Sequence, residues 1–177
     1  MKIERKESFR GIFRIPGDKS ITHRAVMFNA AAEGSAVVTN ALLGEDCLST
    51  IACMRALGAD IRTEGGTVYV TGIKKFCDAE CDCGNSGTTM RLLMGLTAGR
   101  NINVKFTGDA SLSKRPMERV AAPLRLLGAD VETTNGTAPV YVRRSVLKGC
   151  EVDTKVASAQ VKSAVILAAL GAEGKTE

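Results

Sequence analysis

A chain of 177 residues, 45% of them apolar, has room for one domain or for one domain and part of another, with an ample core. The formal net charge is +5, but no run of five basic residues occurs, only 4% of residues are aromatic and Trp is absent. These features disfavour a single-strand nucleic-acid binder, which needs stacking surfaces, and suit a protein that binds small acidic ligands.

The first predicted elements have the order β-α-β-α-β-β. The pattern of apolar residues predicts a strand at 11–15, a helix at 20–32, a strand at 36–39, a helix at 48–57 and strands at 60–63 and 67–70. Gly58 closes the second helix, as glycine commonly does.

The following elements repeat this order. They are a strand at 79–83, a helix at 88–98, a strand at 103–107, a helix at 116–127 closed by Gly128, and strands at 130–133 and 140–143. Pro116 suits a first helical turn, whereas Pro123 must kink the helix or mark a later start.

Sequence motifs return with the elements. GDKSITHR at 17–24 returns as GNSGTTMR at 84–91, and RALGADI at 55–61 returns as RLLGADV at 125–131. A third unit opens near residue 150 with a small-residue turn at 157–163 and an apolar helix, and its later elements are missing. We therefore predict an α/β (α+β) fold of repeated βαβαββ units around a pseudo-threefold axis, with the third unit truncated.

Each unit places a small-residue turn before its first helix. The first N–H groups of a helix lack partners and carry a partial positive charge, so phosphate or carboxylate binds there readily. Arg24 and Arg91 each follow the turn by one helical turn, and a threefold arrangement makes the three N-termini converge. Further candidate ligand contacts there are Lys19, Ser20, Gly87, Thr88, Arg115, Ser158 and Gln160.

Other features favour plainer interpretations. His23, the only histidine, lies within a helix pattern, where a structural role is favoured over that of a general base. The six cysteines lack the paired spacing of zinc sites, so reduced thiols and no metal are expected. No apolar leader follows the N-terminal charges and no apolar run is long enough to span a bilayer, which predicts a cytoplasmic location.

Four blocks of the sequence resemble, in the same order, those of the bacterial 5-enolpyruvylshikimate-3-phosphate synthase family. They are GDKSITHRA, GNSGTTMRLL, TGDASLSKRPMERV and VASAQVKSA, and the likeness runs from about residue 15 to residue 170. The resemblance implies transfer of the enolpyruvyl group of phosphoenolpyruvate to the 5-hydroxyl of shikimate 3-phosphate, with release of phosphate, in aromatic amino acid biosynthesis. It also implies inhibition by glyphosate, no metal or organic cofactor, and a monomeric full-length enzyme.

The same resemblance implies two domains of three βαβαββ units each. Residues 1–13 then form an N-terminal segment that joins the other domain, and residues 14–177 form the first domain, incomplete, with units at about 14–77, 78–149 and 150–177. The acid-base residues of the family belong to the second domain, so this chain is expected to be a fragment that binds substrate but is inactive alone.

The resemblance also implies residue roles. Lys19, Ser20, Arg24, Ser158 and Gln160 are expected to contact shikimate 3-phosphate, and Lys19, Gly87, Arg115 and Gln160 to contact phosphoenolpyruvate. Asn85, Thr88 and Arg91 support the second turn. Ala159 stands where many members have a second serine, so one hydroxyl contact is missing.

Three alternatives remain at this stage. The chain could belong to the sister enzyme that transfers enolpyruvate to a UDP-linked amino sugar, UDP-N-acetylglucosamine enolpyruvyl transferase, although the first and third blocks fit the shikimate enzyme better. It could be a non-catalytic anion-binding or RNA-binding module of related repeat fold, or an inactive fragment.

Overall fold

A computed structural model describes residue 8 and residues 10–177 of the chain. The five helices are α1 Lys19–Ala31, α2 Glu45–Ala56, α3 Gly87–Ala98, α4 Glu118–Leu126 and α5 Ala159–Ala169, and a short 3₁₀ helix spans Leu112–Lys114. The seven strands are β1 Ser35–Val38, β2 Asp60–Glu64, β3 Thr67–Thr71, β4 Ala79–Asp82, β5 Val104–Thr107, β6 Asp130–Thr134 and β7 Thr137–Arg143. Much of the predicted segment 1–13 lies outside the described residues.

The strands form two separate sheets. One is antiparallel with the order β1-β3-β2, and the other has the order β4-β5-β7-β6, in which only β4 and β5 are parallel. Two-residue turns join β2 to β3 at Gly65 and Gly66 and β6 to β7 at Asn135 and Gly136, all with positive φ. Such turns match the right-handed twist of paired strands.

The segments α2-β2-β3 and α4-β6-β7 repeat one another in detail. Arg55 Nε donates to the Ile61 carbonyl at 2.9 Å, and Arg125 Nε donates to the Val131 carbonyl at 2.7 Å. Glycine at φ +112° and +89° follows the two helices, at positions 58 and 128. The RALGADI and RLLGADV motifs therefore build the same corner, in which arginine ties a helix to the strand that follows it.

Several predicted boundaries were wrong. Residues 11–15 form no strand, although the Ile15 carbonyl accepts from Asn40 Nδ2 at 3.3 Å. A strand needs a hydrogen-bonded neighbour: among the described residues β1 pairs only with β3, whereas β4, which precedes α3, pairs with β5.

The first residues of several helices also differ from the predicted ones. The helix predicted from residue 116 begins at Glu118 and keeps Pro123 inside, and α2 begins three residues earlier than predicted. α5 takes in most of the predicted 157–163 turn.

The core surrounds α3, which is buried along almost its whole length. A Cβ added at Gly95 would lie 2.1 Å from the Ala164 carbonyl oxygen, and one at Gly99 would lie 2.8 Å from that of Ala168. The contact partner in α5 advances by four residues towards the C-terminus when the position in α3 does the same. The two helices therefore run parallel, with their N-termini at the same end. No helix of the described residues is long and apolar enough to cross a membrane.

Candidate functional site

The N-terminal turn of α3 lies beside two guanidinium groups. Ser86 is the N-cap, and its hydroxyl accepts the Thr89 N–H at 3.2 Å. A Cβ added at Gly87 would lie 2.9 Å from Arg91 Nη1 and 3.4 Å from Arg115 Nη1. Gly87 thus leaves a space that the helix N-terminus and both arginines border.

Arg91 carries a buried charge without a carboxylate. Its side chain donates to Gln160 Oε1 at 2.8 Å and to the Pro116 carbonyl at 3.4 Å, and its buried Nε has no hydrogen-bond partner. Burial, followed by the nearby charges of Arg119 and Arg115, lowers the pKa of Arg91 from its ordinary value to about 10. Within the described part of the chain no carboxylate pairs with Arg91 or Arg115. This excess positive charge favours an anionic ligand.

Arg115 is oriented by an amide rather than neutralised by an acid. Its Nη2 donates to Asn85 Oδ1 at 2.5 Å, and Asn85 Nδ2 donates to Asp109 Oδ2 at 2.7 Å. The Asn85 hydrogen bond, followed by the Leu112 N–H, lowers the pKa of Asp109. Asp109 therefore stays ionised and holds Asn85, while the Arg115 charge remains free for a ligand.

α5 brings the third N-terminal turn against the second. Gln160 accepts from Arg91 and donates through Nε2 to Thr88 Oγ1 at 2.9 Å. Ser158 is the N-cap of α5, and its side chain makes no capping hydrogen bond. The Ser158 hydroxyl is thus available to a ligand, whereas both ends of the Gln160 amide already hold neighbouring side chains.

The N-terminal turn of α1 is more open. Asp18 caps the helix by accepting the Ile21 N–H at 2.7 Å, and Lys19 forms an ion pair with Asp46. Arg24 donates from Nη1 to the Ser20 carbonyl at 3.2 Å, and no described carboxylate pairs with it. Ser20 is exposed, so its hydroxyl and the Arg24 guanidinium can reach a ligand.

α2 connects the first turn to the second. The Asp46 carboxylate pairs with Lys19, while its carbonyl accepts from Thr89 Oγ1 at 3.3 Å. His23 is wholly buried beside this connection, and burial lowers its pKa to about 4. A neutral, buried imidazole does not face the site, which agrees with a structural role rather than that of a general base.

The described residues thus place the predicted contacts in two groups. The first group lies around Gly87 and contains two hydrogen-bonded sets, Arg91 with Gln160 and Thr88, and Arg115 with Asn85, together with Ser158 at the N-terminus of α5. The second group lies at α1 and consists of Lys19, Ser20 and Arg24. The sequence reasoning missed Asp46, Asp109 and Arg119. Asp109 and Arg119 lie within a block that had been singled out, and Asp46 lies in the first turn of α2, where an acidic residue is usual for the helix dipole alone.

The thiols form no metal site. All six cysteines are free, and within residues 8 and 10–177 no group of three His, Cys, Asp or Glu side chains could hold a metal ion. The site is therefore built from helix N-termini, guanidinium groups, a lysine, hydroxyls and amides.

Comparison with known proteins identifies this arrangement. The family model described as EPSP synthase (3-phosphoshikimate 1-carboxyvinyltransferase) matches residues 3–177. The chain belongs to the EPSP synthase family. The match includes all three N-terminal turns, so the paired arginines at Gly87 lie in a region that the family model describes.

Relatives within the EPSP synthase family are close. The 3-phosphoshikimate 1-carboxyvinyltransferase of Bacillus velezensis is 50% identical over 182 residues, which cover 99% of this chain and 42% of the relative. That of Thermoanaerobacter pseudethanolicus is 47% identical, covering 99% of this chain and 43% of the relative. The EPSP synthase structure from Acinetobacter baumannii is 48% identical, with a TM-score of 0.87 over 94% of this chain and 39% of that one. The chain spans about two fifths of the length of these relatives.

Proposed function

We propose that this chain supplies the first set of substrate contacts of a 3-phosphoshikimate 1-carboxyvinyltransferase. The whole protein then transfers the enolpyruvyl group of phosphoenolpyruvate to the 5-hydroxyl of shikimate 3-phosphate and releases phosphate. The observation that carries the proposal is the pair of guanidinium groups of Arg91 and Arg115 beside Gly87, which face a helix N-terminus without a carboxylate. Helix N-termini and guanidinium groups bind phosphate and carboxylate groups well.

The two groups of side chains suit two anionic substrates. Lys19, Ser20 and Arg24 at α1 contact shikimate 3-phosphate, as does the Ser158 hydroxyl, which makes no capping hydrogen bond at the N-terminus of α5. Gly87 and Arg115 take phosphoenolpyruvate, and Lys19 reaches it from the first turn.

Gln160 contributes to both sites mainly through Arg91 and Thr88, since both ends of its amide are engaged. Asn85, Thr88 and Arg91 support the turn. The three turns would thereby hold the two reactants close together, and positioning of this kind lowers a bimolecular barrier.

Proton transfer needs groups that these turns do not offer. The reaction adds a proton to the methylene carbon of phosphoenolpyruvate while the 5-hydroxyl loses one, so it needs a placed acid and base. Among the described acidic groups at the turns, Asp18 caps α1, Asp46 is paired with Lys19, Asp82 accepts the Gly84 N–H, and Asp109 accepts from Asn85 and Leu112. The His23 imidazole is buried. We therefore propose that this chain binds both substrates and does not turn them over.

The domain division belongs to the same proposal. Residues 14–177 make an incomplete first domain with units at about 14–77, 78–149 and 150–177, and the support is that α5 packs on α3 and α4. A cytoplasmic location, a monomeric full-length enzyme, independence of cofactors and sensitivity to glyphosate stay predictions.

Calorimetric titration of the 177-residue chain with shikimate 3-phosphate tests the proposal. We expect saturable one-to-one binding, tightened by phosphoenolpyruvate, and no phosphate release when both are present. Arg115→Ala should reduce the response to phosphoenolpyruvate more than the affinity for shikimate 3-phosphate. Lys74→Ala is the matched control, because it also removes one positive charge but lies away from the turns, in a cavity lined by Glu33 just after the C-terminus of α1.

Two results would contradict the proposal. One is the absence of binding by either substrate to a folded chain. The other is binding that tracks nucleic-acid length and salt concentration with no response to shikimate 3-phosphate, which would favour a nucleic-acid module instead.

A further inference from the structure

A buried chain of polar side chains connects α1, α2 and α3. His23 Nδ1 lies 2.6 Å from Thr50 Oγ1, which lies 2.7 Å from Thr89 Oγ1, and Thr89 Oγ1 lies 2.7 Å from Ser86 Oγ. All four side chains are wholly buried. This series of hydrogen-bonded side chains ends at Ser86, the N-cap of α3, immediately before Gly87.

The unpaired ring nitrogen fixes the tautomer. His23 Nε2 is buried and has no hydrogen-bond partner. A buried N–H without an acceptor is less often tolerated than a buried acceptor without a donor, so the proton belongs on Nδ1. The imidazole then donates to Thr50, whose hydroxyl is left to donate either to Thr89 Oγ1 at 2.7 Å or to the Asp46 carbonyl at 3.4 Å. The shorter contact favours Thr89.

The direction of these bonds has a consequence at the helix cap. Thr89 accepts from Thr50, and its hydroxyl is left to donate to Ser86 Oγ at 2.7 Å or to the Asp46 carbonyl at 3.3 Å. Ser86 Oγ also accepts the Thr89 N–H. A chain in which each hydroxyl accepts from one side and donates to the other is more rigid than isolated bonds.

We propose that His23 is a positioning residue for the anion-binding turn of α3, acting as a fixed Nδ1–H donor through Thr50 and Thr89 on the N-cap Ser86. His23 touches no ligand itself. It sets the position of Gly87 and Arg91 relative to Lys19 and Arg24, which lie on the same helix as the imidazole. This role rests on the proposed function only in so far as the turn binds phosphoenolpyruvate.

The tautomer can be read directly because the chain contains one histidine. Two-bond ¹H–¹⁵N correlation spectra of the ¹⁵N-labelled chain at pH 7 report which ring nitrogen carries the proton. We expect the proton on Nδ1. A proton on Nε2, or on both nitrogens, would overturn the proposal without any variant being made.

Two variants test the effect on the turn. His23→Leu removes the donor with little change in volume, whereas His23→Asn keeps an N–H donor at the place of Nδ1. We expect His23→Leu to speed hydrogen exchange of the Thr89 amide at least about fivefold more than that of the Val68 amide in the remote strand β3. His23→Asn should restore most of the protection at Thr89.

Thr50→Val interrupts the same series of hydrogen bonds at the hydroxyl between His23 and Thr89. Combined with His23→Leu, it should add little to the exchange rate of Thr89, because both changes break one connection. Additive effects of the two substitutions, or equal acceleration at Thr89 and Val68, would show a role in general stability alone and overturn the proposal.

Ligand binding separates this inference from the function on which it rests. If phosphoenolpyruvate binds to the chain in the presence of shikimate 3-phosphate, His23→Leu should weaken it about fivefold, and His23→Asn much less. If neither substrate binds to the unaltered chain, the proposed function fails for this chain, while the tautomer and the exchange data still decide the role of His23.

Discussion

The N-terminal turns of α1 and α3 share a sequence motif but differ in how they are held. At α1, Lys19 is half exposed and paired with Asp46, and Arg24 donates to the Ser20 carbonyl of its own helix without pairing with any described carboxylate. At α3, the equivalent Arg91 is 5% exposed and bound to a glutamine from another unit. The first turn can adapt to a ligand, whereas the second is fixed before a ligand arrives.

This difference suggests a division of labour. A preorganised site loses little conformational entropy on binding and holds a reacting group in one orientation. An exposed site with long side chains attracts a charged ligand and adjusts around it, at a cost in side-chain entropy. Within the proposed function, the fixed turn takes the enolpyruvyl donor and the adaptable turn takes the acceptor.

Separating α3 from α5 should break the fixed turn. Gly95→Ala puts a Cβ 2.1 Å from the Ala164 carbonyl oxygen, so the two helices must move apart. We expect a loss of about 3 kcal/mol or more in the free energy of unfolding, measured by urea denaturation. Gly44 is the N-cap of α2, and a Cβ added there would meet no atom within 4 Å. Gly44→Ala should therefore lower the free energy of unfolding by less than about 1 kcal/mol. Equal losses in the two variants would contradict this packing.

Acid should weaken the part of the core that joins the two turns. Because the pKa of His23 is lowered from 6.5 to about 4, the unfolded chain takes up this proton at a higher pH than the folded chain. The contribution of neutral His23 to the free energy of unfolding is complete above pH 6.5 and falls as the pH drops towards 4, by about 3 kcal/mol in total. Urea denaturation between pH 7 and pH 4.5 measures it.

His23→Asn removes the titrating group, so its stability should change little over that range. The carboxyl groups with lowered pKa values, Asp78, Asp109 and Glu118, lose their stabilisation mainly below pH 5, so the change between pH 7 and pH 5 belongs to His23. If the free energy of unfolding of His23→Asn still fell with pH as it does in the unaltered chain, a group other than His23 would be responsible.

Loss of either arginine should distinguish the turns. Arg24→Ala should weaken shikimate 3-phosphate binding by roughly 1.5–3 kcal/mol, as expected for a hydrogen bond to a charged group, with little change in stability. Arg91→Ala should lower stability as well, because Gln160 and the Pro116 carbonyl lose their donor. Calorimetry and denaturation of both variants measure this, and unchanged affinity in Arg24→Ala would refute its role.

The smallest expected effect comes from the space at Gly87. Gly87→Ala requires Arg91 and Arg115 to move by a few tenths of an ångström. In the complete enzyme we expect about 1 kcal/mol weaker phosphoenolpyruvate binding, and a larger loss for glyphosate, which we predict to bind at the same place. Inhibition and saturation kinetics compare the two ligands. An equal loss for both would contradict the steric explanation.

Local patterns in the sequence were sufficient for much of the fold. Glycine after an apolar helix and a return of the same motif 70 residues later predicted both copies of the α-β-β segment, and the structure confirms them down to the arginine bonds of Arg55 and Arg125. The strand at 11–15 was wrong because a strand depends on a partner, which the local pattern does not reveal.

For the candidate site, the motifs supplied most of the side chains but not their partners. The repeated turns pointed to Arg24 and Arg91 as equivalent residues, yet one is open and the other is buried. Gln160 was predicted to contact both substrates, and the structure adds its hydrogen bonds to Arg91 and Thr88, which connect α5 to α3. Asp46 gave no signal beyond a helix start.

The sequence by itself determined the two α-β-β segments, the helix N-termini that suit anions and the residue types at those N-termini, because these depend on interactions within a few residues. Only the tertiary structure decided which charges are paired, which are buried and which hydroxyls connect one unit to the next. His23 shows the reason: its partner Thr50 lies 27 residues away, and packing of α1 against α2 is what brings the two together.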